Sequence, residues 1–332
     1  MIKGQGSKFD LVTFKHRSDW LRARSQGIGG SDVAGIMGIS PWTSPLQVWM
    51  SKTEPSDEDK EPSAIMQFGN IMEPNIKRIF ADRHNTWLVR DIYNRHTAVN
   101  GILIDLKRPW AQASLDSVVR DEDGNWGVLE IKTASSSKDW ANGVPNYYRT
   151  QVTQYMSVTG YGFAVVAVFF RDTCEFASYR IDRDEDDIKA VEQLVDDFWH
   201  LYVEGGFMPE VIGADGEAKV LVSRFAEYEE QWPIADDCET ADLIADSQNL
   251  AEQIKKLKQD KQIVDNALMQ RIGELGGKGL RCEGKKVTWV RSQYTTFDTK
   301  KFIAEHPKTA ANYIIHGARN GGIRISDIKV KE

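Results

Sequence analysis

Two strand-like runs joined by a short polar turn constrain the fold of this chain more than any other feature. The runs are Ala113-Ser114-Leu115-Asp116-Ser117-Val118-Val119-Arg120 and Trp126-Gly127-Val128-Leu129-Glu130-Ile131-Lys132, with Asp121 to Asn125 between them. Apolar and β-branched residues on either side of an Asp-, Gly- and Asn-rich turn predict a hairpin. A turn centred on Asp123 sets Asp116 opposite Glu130, and opposed residues on one sheet face have Cβ atoms roughly 5 Å apart. Lys132 shares the face of Glu130, whereas Leu129 and Ile131 point the other way into a core. Like charges at that separation destabilise a sheet. A hard divalent cation cancels the repulsion, and two carboxylate donors suit Mg²⁺ or Mn²⁺. On a solvent-exposed hairpin the same charges would only keep it soluble, and the spacing alone does not separate the two.

Helical and strand-like periodicities alternate around this hairpin. Ile65, Met66, Phe68, Ile71, Met72, Ile76, Ile79 and Phe80 recur at helical spacing from Ala64 to Asp82. Ser18 is a candidate cap for one helix, Ser31 or Asp32 for a second and Ser44 for a third. A helix near 146–159, strands over 163–170 and 175–181, and an amphipathic helix over 184–204 complete a mixed α/β core spanning 1–210. Residues 211–235 read as a linker and 236–277 as a helical, coiled-coil-like arm. In the arm Leu243, Leu250, Leu257 and Val264 share one heptad position. Ile254, Leu268 and Leu275 share the other, broken by Ser247 and Lys261. Residues 278–332 form a small α+β segment.

Composition excludes several classes. Of 332 residues, 41% are hydrophobic and 10 are Trp, enough to build a packed core. No apolar run nears the roughly 20 residues of a membrane span, and the N-terminus lacks the apolar centre of a signal peptide. Cys174, Cys238 and Cys282 are scattered, with no disulfide or zinc pattern. A soluble intracellular protein follows. The formal charge of −7 argues mildly against nucleic acid, but the basic residues cluster. Lys3, Lys8, Lys15, Arg17, Arg22 and Arg24 crowd the first 24 residues, and Lys77, Arg78, Arg83, Arg90 and Arg95 form a second group. Acidic residues concentrate in 54–61, 182–187 and 227–246.

Three further groups bear on chemistry. Glu73 interrupts an otherwise apolar helix and is placed to reach the hairpin carboxylates. Gln151 and Gln154 lie on the helix predicted to pack near the sheet. The glycine-rich opening, Gly27-Ile28-Gly29-Gly30-Ser31-Asp32, matches neither dinucleotide-binding nor P-loop glycine patterns. Glycines ahead of a helix expose backbone N–H groups that attract anions, and Arg24 with the Ser31 hydroxyl completes a pocket for a terminal phosphate. A tight helix-entry turn without a ligand is the plainer reading of the same residues.

The order of Glu73, Asp116, Glu130-Ile131-Lys132 and Gln151 resembles the PD-(D/E)xK nuclease core. The opening Arg24-Ser25-Gln26-Gly27-Ile28-Gly29-Gly30-Ser31-Asp32-Val33, followed by Ser40-Pro41-Trp42, is similar to the signature of the YqaJ-type viral recombinases, the lambda-exonuclease group. Gln151 through Gly160 is similar to a third motif of that family, and the resemblance spans roughly residues 17 to 205. Phe297-Asp298-Thr299-Lys300 with Glu305-His306-Pro307 is weakly similar to the tails of longer phage-type exonucleases.

The resemblance implies a restriction-endonuclease-like fold, with a mixed central sheet flanked by helices. It implies a metal-dependent 5′-to-3′ exonuclease acting on double-stranded DNA ends in phage-type recombination, in the cytoplasm of a bacterial host. Asp116, Glu130 and the Ile131 carbonyl would hold Mg²⁺, or Mn²⁺ in its place, with Glu73 binding directly or through water. Lys132 would orient or deprotonate the attacking water, Gln151 would position Lys132 or the scissile phosphate, and Arg24 with Ser31 would grip a 5′-phosphate. Family members assemble as ring-shaped homo-oligomers, here a trimer, and partner a single-strand annealing recombinase. Another PD-(D/E)xK endonuclease or repair nuclease, and a non-catalytic DNA-end-binding assembly protein, are the alternatives.

Overall fold

The computed structural model describes residues 8–55, 63–94, 97–98, 100–225, 233–290, 295–313 and 325. Lys3, Arg95, and parts of the acidic stretches 54–61 and 227–246 lie outside these residues, as does most of the segment after 313. The chain divides into two units, Met1–Ala226 and Glu227–Glu332. Among the described residues no helix is long and apolar enough to cross a membrane.

The first unit opens with β1 (Phe9–Phe14), α1 (Arg17–Ser25), α2 (Gly30–Ile36), α3 (Pro45–Thr53) and α4 (Ala64–Arg83). Four short strands follow: β2 (Leu88–Arg90), β3 (Asn100–Asp105), β4 (Gln112–Ala113) and β5 (Ser117–Arg120). Then come β6 (Trp126–Ala134), α5 (Asn146–Thr159), β7 (Phe163–Phe170), β8 (Glu175–Asp182) and α6 (Glu185–Asp197). A π-helical stretch, Phe198–Glu204, continues α6, and α7 (Glu217–Arg224) ends the unit. The main sheet has the order β2-β5-β6-β7-β8, with β6 and β7 parallel and the other neighbours antiparallel. This is the mixed central sheet flanked by helices that the sequence implies.

The hairpin register is fixed at its turn. Asp121 Oδ1 accepts from Asn125 N at 2.8 Å, and Gly124 takes φ +85°, a conformation open to glycine. Ser117 pairs with Leu129 and Val119 with Gly127, so the same register carried one residue further sets Asp116 opposite Glu130. One face of the sheet packs Val119, Leu129, Ile131, Phe163 and Val165 on Ile76 and Phe80 of α4. The opposite face packs Val118, Val128, Val166 and Val168 in the core that holds Val152, Tyr155 and Met156 of α5.

α5 is the crossover that parallel strands need. Every residue from Gln151 to Thr159 is buried, because the main sheet lies on one side and α2, α6 and β4 on the other. The glycine-rich opening is pinned beside it: Ile28 N donates to Trp110 O at 2.6 Å, and Gln112 N donates to Ile28 O at 2.9 Å. A second, antiparallel sheet has the order β1-β3-β4.

Several expectations need correction. α1 is capped by His16, with Ser18 already inside the helix. Gly29 caps α2, and Asp32 acts from the third helical position by accepting from Gly29 N at 2.9 Å. Ser44 does cap α3, accepting from Gln47 N. Only Ile76 and Phe80 of α4 are buried; Ile65, Met66, Phe68 and Ile71 stand exposed, since the apolar periodicity continues where the sheet no longer covers it. Within 211–235, α7 forms because buried Glu217 accepts from the backbone N–H groups of Ile212, Gly213 and Ala214, folding the glycine-containing stretch into a turn. Arg224 then pairs with Glu54 and lies over the Trp49 ring.

The second unit contains α8 (Cys238–Glu274), capped by Asp237, whose carboxylate accepts from Thr240 N at 2.6 Å. Leu243, Leu250, Ile254, Leu257 and Val264 are exposed along it. β9 (Gly279–Cys282) and β10 (Lys285–Thr288) form a hairpin whose two turn residues, Glu283 and Gly284, both have positive φ, as a tight two-residue turn requires. α9 (Thr299–Glu305) and α10 (Pro307–Ala311) complete it.

Gly30 marks a close approach of α2 to α5. A Cβ there would lie 2.4 Å from Tyr155 Cε1 and 2.8 Å from the Gln151 carbonyl. Gly30→Ala is therefore expected to destabilise the first unit by about 1–3 kcal/mol through overpacking, lowering the denaturant midpoint. An unchanged midpoint would show that α5 can yield at this contact.

Candidate active site

The hairpin brings together four of the sequence-predicted residues. Asp116 lies just before β5, and its Oδ2 accepts from Ile131 N at 2.7 Å, tying the loop to the neighbouring strand. Glu130 Oε1 accepts from Lys132 Nζ at 2.6 Å and from Gln151 Nε2 at 2.7 Å. Lys132 Nζ also donates to Gln151 Oε1 at 3.1 Å, closing a three-residue ring of contacts between β6 and α5. Gln151 thus bonds both Glu130 and Lys132. Gln154, three residues further along α5, is fully buried, and its Nε2 donates to Ile28 O at 3.4 Å.

Electrostatics in this cluster are unbalanced. Burial, then the charges of Glu130 and Glu73, push the Asp116 carboxyl well above its ordinary 3.8. Glu73, half-buried on α4, therefore acts on the site as a charge. Burial works against the Lys132 ammonium, yet the carboxylates of Glu130 and Asp116 hold it above its ordinary 10.5. Glu130 Oε2 is buried with no hydrogen-bond partner among the described residues. The excess of buried negative charge and an orphaned carboxylate oxygen are what a site for a hard cation presents. No three Asp, Glu, His or Cys side chains among the described residues converge closely enough to form a metal site alone. Two carboxylates completed by a main-chain oxygen, such as that of Ile131, form the donor set that fits.

Arg24 and Ser31 are also together. Arg24 Nη2 donates to Ser31 Oγ at 2.5 Å and lies 3.5 Å from Asp32 Oδ1, with its guanidinium 5.5 Å from the Trp20 ring centre. A cavity of about 110 Å³ is walled by Trp20, Arg24, Gly30, Ser31, Gln151 and Tyr155. Arg24, Ser31 and Gln151 therefore share one small cavity.

Residues not singled out from sequence also line this region. Lys52 of α3 is buried and donates to Asp32 Oδ2 at 2.7 Å. Burial lowers the Lys52 ammonium, Asp32 opposing it. The Asp32 carboxyl, though burial raises it, is held below 3.8 by Lys52 and then Arg24. Tyr155 accepts from Gln151 Nε2 at 2.9 Å, and burial together with Glu130 drives its hydroxyl pKa well above 10.0. Tyr148 places its ring 4.7 Å from Lys132 Nζ and packs against exposed Trp42, 5.9 Å between ring centres. Asp32 and Trp42 fall inside quoted motifs; Lys52 carries no local signal, because its partner lies 20 residues away.

A family model described as the YqaJ-like viral recombinase domain matches residues 19–162. Uncharacterized protein YqaJ of Bacillus subtilis (strain 168) is 28% identical over 299 residues, covering 88% of each chain. That length exceeds the first unit, so the match runs into the second. Among solved structures, an alkaline exonuclease (LHK-Exo) from Laribacter hongkongensis superposes with a TM-score of 0.45 at 22% identity, covering 57% of this chain and 93% of that one. A phage related exonuclease from Haemophilus somnus 129PT gives 0.39 at 10% identity, with 54% and 94% covered.

The raised Asp116 pKa has a consequence for stability without metal. A folded-state value above 3.8 means that the native state holds this proton more tightly than the unfolded chain does, so stability falls as pH rises above 3.8 toward the raised value. In chelator-treated protein, Asp116→Asn is expected to raise the thermal midpoint at pH 7, with the gain shrinking as pH is lowered. A variant less stable than the parent at pH 7 would contradict the electrostatic reading.

Proposed function

We propose that the protein is a metal-dependent nuclease that digests double-stranded DNA from 5′ ends, on the footing that the family model of the YqaJ-like viral recombinase domain matches residues 19–162. One observation carries the reading: the cavity that holds Arg24 and Ser31 also holds Gln151, which bonds both Glu130 and Lys132. A terminal phosphate bound in that cavity sets the hydrolytic groups beside the first phosphodiester, and this favours an exonuclease over an enzyme cutting within a duplex. The 5′ polarity and the role in phage-type recombination rest on family resemblance.

Asp116, Glu130 and the Ile131 carbonyl would hold Mg²⁺, for which Mn²⁺ would substitute, and Glu73 would contribute through its charge or through water. Such an ion, when bound, lowers the pKa of a coordinated water and offsets charge on the phosphate oxygens. Lys132, hydrogen-bonded to Glu130 and Gln151, would orient or deprotonate the attacking water. Gln151 locks the lysine, and Asp116 is locked by Ile131 N. Arg24 and Ser31 bind the terminal phosphate with charge-assisted hydrogen bonds. We place the protein in the cytoplasm of a bacterial host, as a ring-shaped homo-oligomer, a trimer, working with a single-strand annealing protein.

Three expectations test this. Glu130→Ala and Lys132→Ala should each slow Mg²⁺-dependent digestion of a linear duplex by about 10²-fold or more, with end binding retained in a gel-shift assay. Covalently closed circular duplex should resist digestion by the parent, and its rapid cleavage would favour an endonuclease. Arg24→Ala should erase the preference for phosphorylated over hydroxylated 5′ ends, a loss of ~2–3 kcal/mol. An equal loss on both substrates would make Arg24 a general backbone contact.

A further inference from the structure

The arginine of the phosphate pocket sits against a carboxylate, which is an odd neighbour for an anion receptor. Arg24 Nη2 is 3.5 Å from Asp32 Oδ1. An Arg–Asp pair by itself presents no net charge to a phosphate. Asp32, however, is engaged from its other oxygen: Oδ2 accepts from Lys52 Nζ at 2.7 Å and from Gly29 N at 2.9 Å. Lys52 also donates to the Arg24 carbonyl at 3.3 Å, so a single ammonium holds both the carboxylate and the backbone of the arginine.

Helix capping does not account for the lysine. The bond from Gly29 N to Asp32 satisfies the first turn of α2 without it. Burying an ammonium is costly unless its charge is used, and Lys52 is only 7% exposed. Arg24, Asp32 and Lys52 together carry two positive charges and one negative, and all three line one cavity of about 860 Å³.

We propose that Lys52 is a positioning residue for terminal-phosphate recognition: by committing the Asp32 carboxylate, it leaves the Arg24 guanidinium charge available to a phosphomonoester. Without Lys52, Asp32 would close on Arg24 and withdraw it from the ligand. The inference rests on Arg24 and Ser31 being the end-phosphate site.

The test is the ratio of kcat/KM on 5′-phosphorylated duplex to that on 5′-hydroxylated duplex, in parent, Lys52→Met and Lys52→Met with Asp32→Asn. Lys52→Met should lower the ratio by about tenfold or more, the scale of one hydrogen bond to a charged group. The double variant removes the competing carboxylate with the lysine, and Asn keeps the cap acceptor, so it should recover most of the parent ratio. A folded Lys52→Met with the parent ratio overturns the proposal, and so does a double variant that discriminates no better than the single one. Should Lys52→Met fail to fold, the charge-neutral double variant decides: retained discrimination supports the proposal and lost discrimination overturns it. A parent enzyme that digests both ends equally well removes the end-phosphate site itself, an outcome seen before any variant is made.

Discussion

The register of β5 on β6 is the constraint on which the rest of the site depends. It sets two carboxylates across from one another on a buried stretch of sheet, where like charges are unfavourable. The fold answers with three interactions rather than by exposing them. Lys132 and Gln151 converge on one oxygen of Glu130, Ile131 N holds Asp116, and the other Glu130 oxygen is left buried and unpaired. A site built only for stability would not bury that oxygen without a partner among the described residues, since such a group costs about 1–3 kcal/mol.

α5 turns this local arrangement into a two-part site. Gln151 serves the carboxylate cluster, Tyr155 packs on Gly30, and Gln154 reaches the Ile28 carbonyl of the glycine-rich opening. One helix therefore contacts both the glycine-rich opening and the carboxylate cluster. Its C-terminal part is anchored in turn, with Ser157 Oγ donating to Glu192 of α6 and accepting from Arg108. The crossover that parallel pairing of β6 and β7 demands thus also joins the glycine-rich opening to the carboxylate cluster.

The second unit follows different rules. α8 is 37 residues long, but its apolar heptad positions are exposed and Lys261 pairs with Asp265 on its own helix. No residue of this unit is required for the chemistry proposed for the first.

The hairpin and its opposed carboxylates were legible from sequence because strand alternation and a polar turn fix register locally. For the same reason α5, β7 and α8 lie close to where periodicity puts them. The Asp32–Lys52 pair, the burial of Gln154 and the shared cavity joining Arg24 to Gln151 were not legible. Each depends on elements distant in the chain being packed against one another, and side-chain spacing carries no record of such contacts. The same limit explains α4, whose apolar residues recur along its whole length while only Ile76 and Phe80 are buried: periodicity states which face of a helix is apolar, but only the packed sheet decides how much of that face is covered.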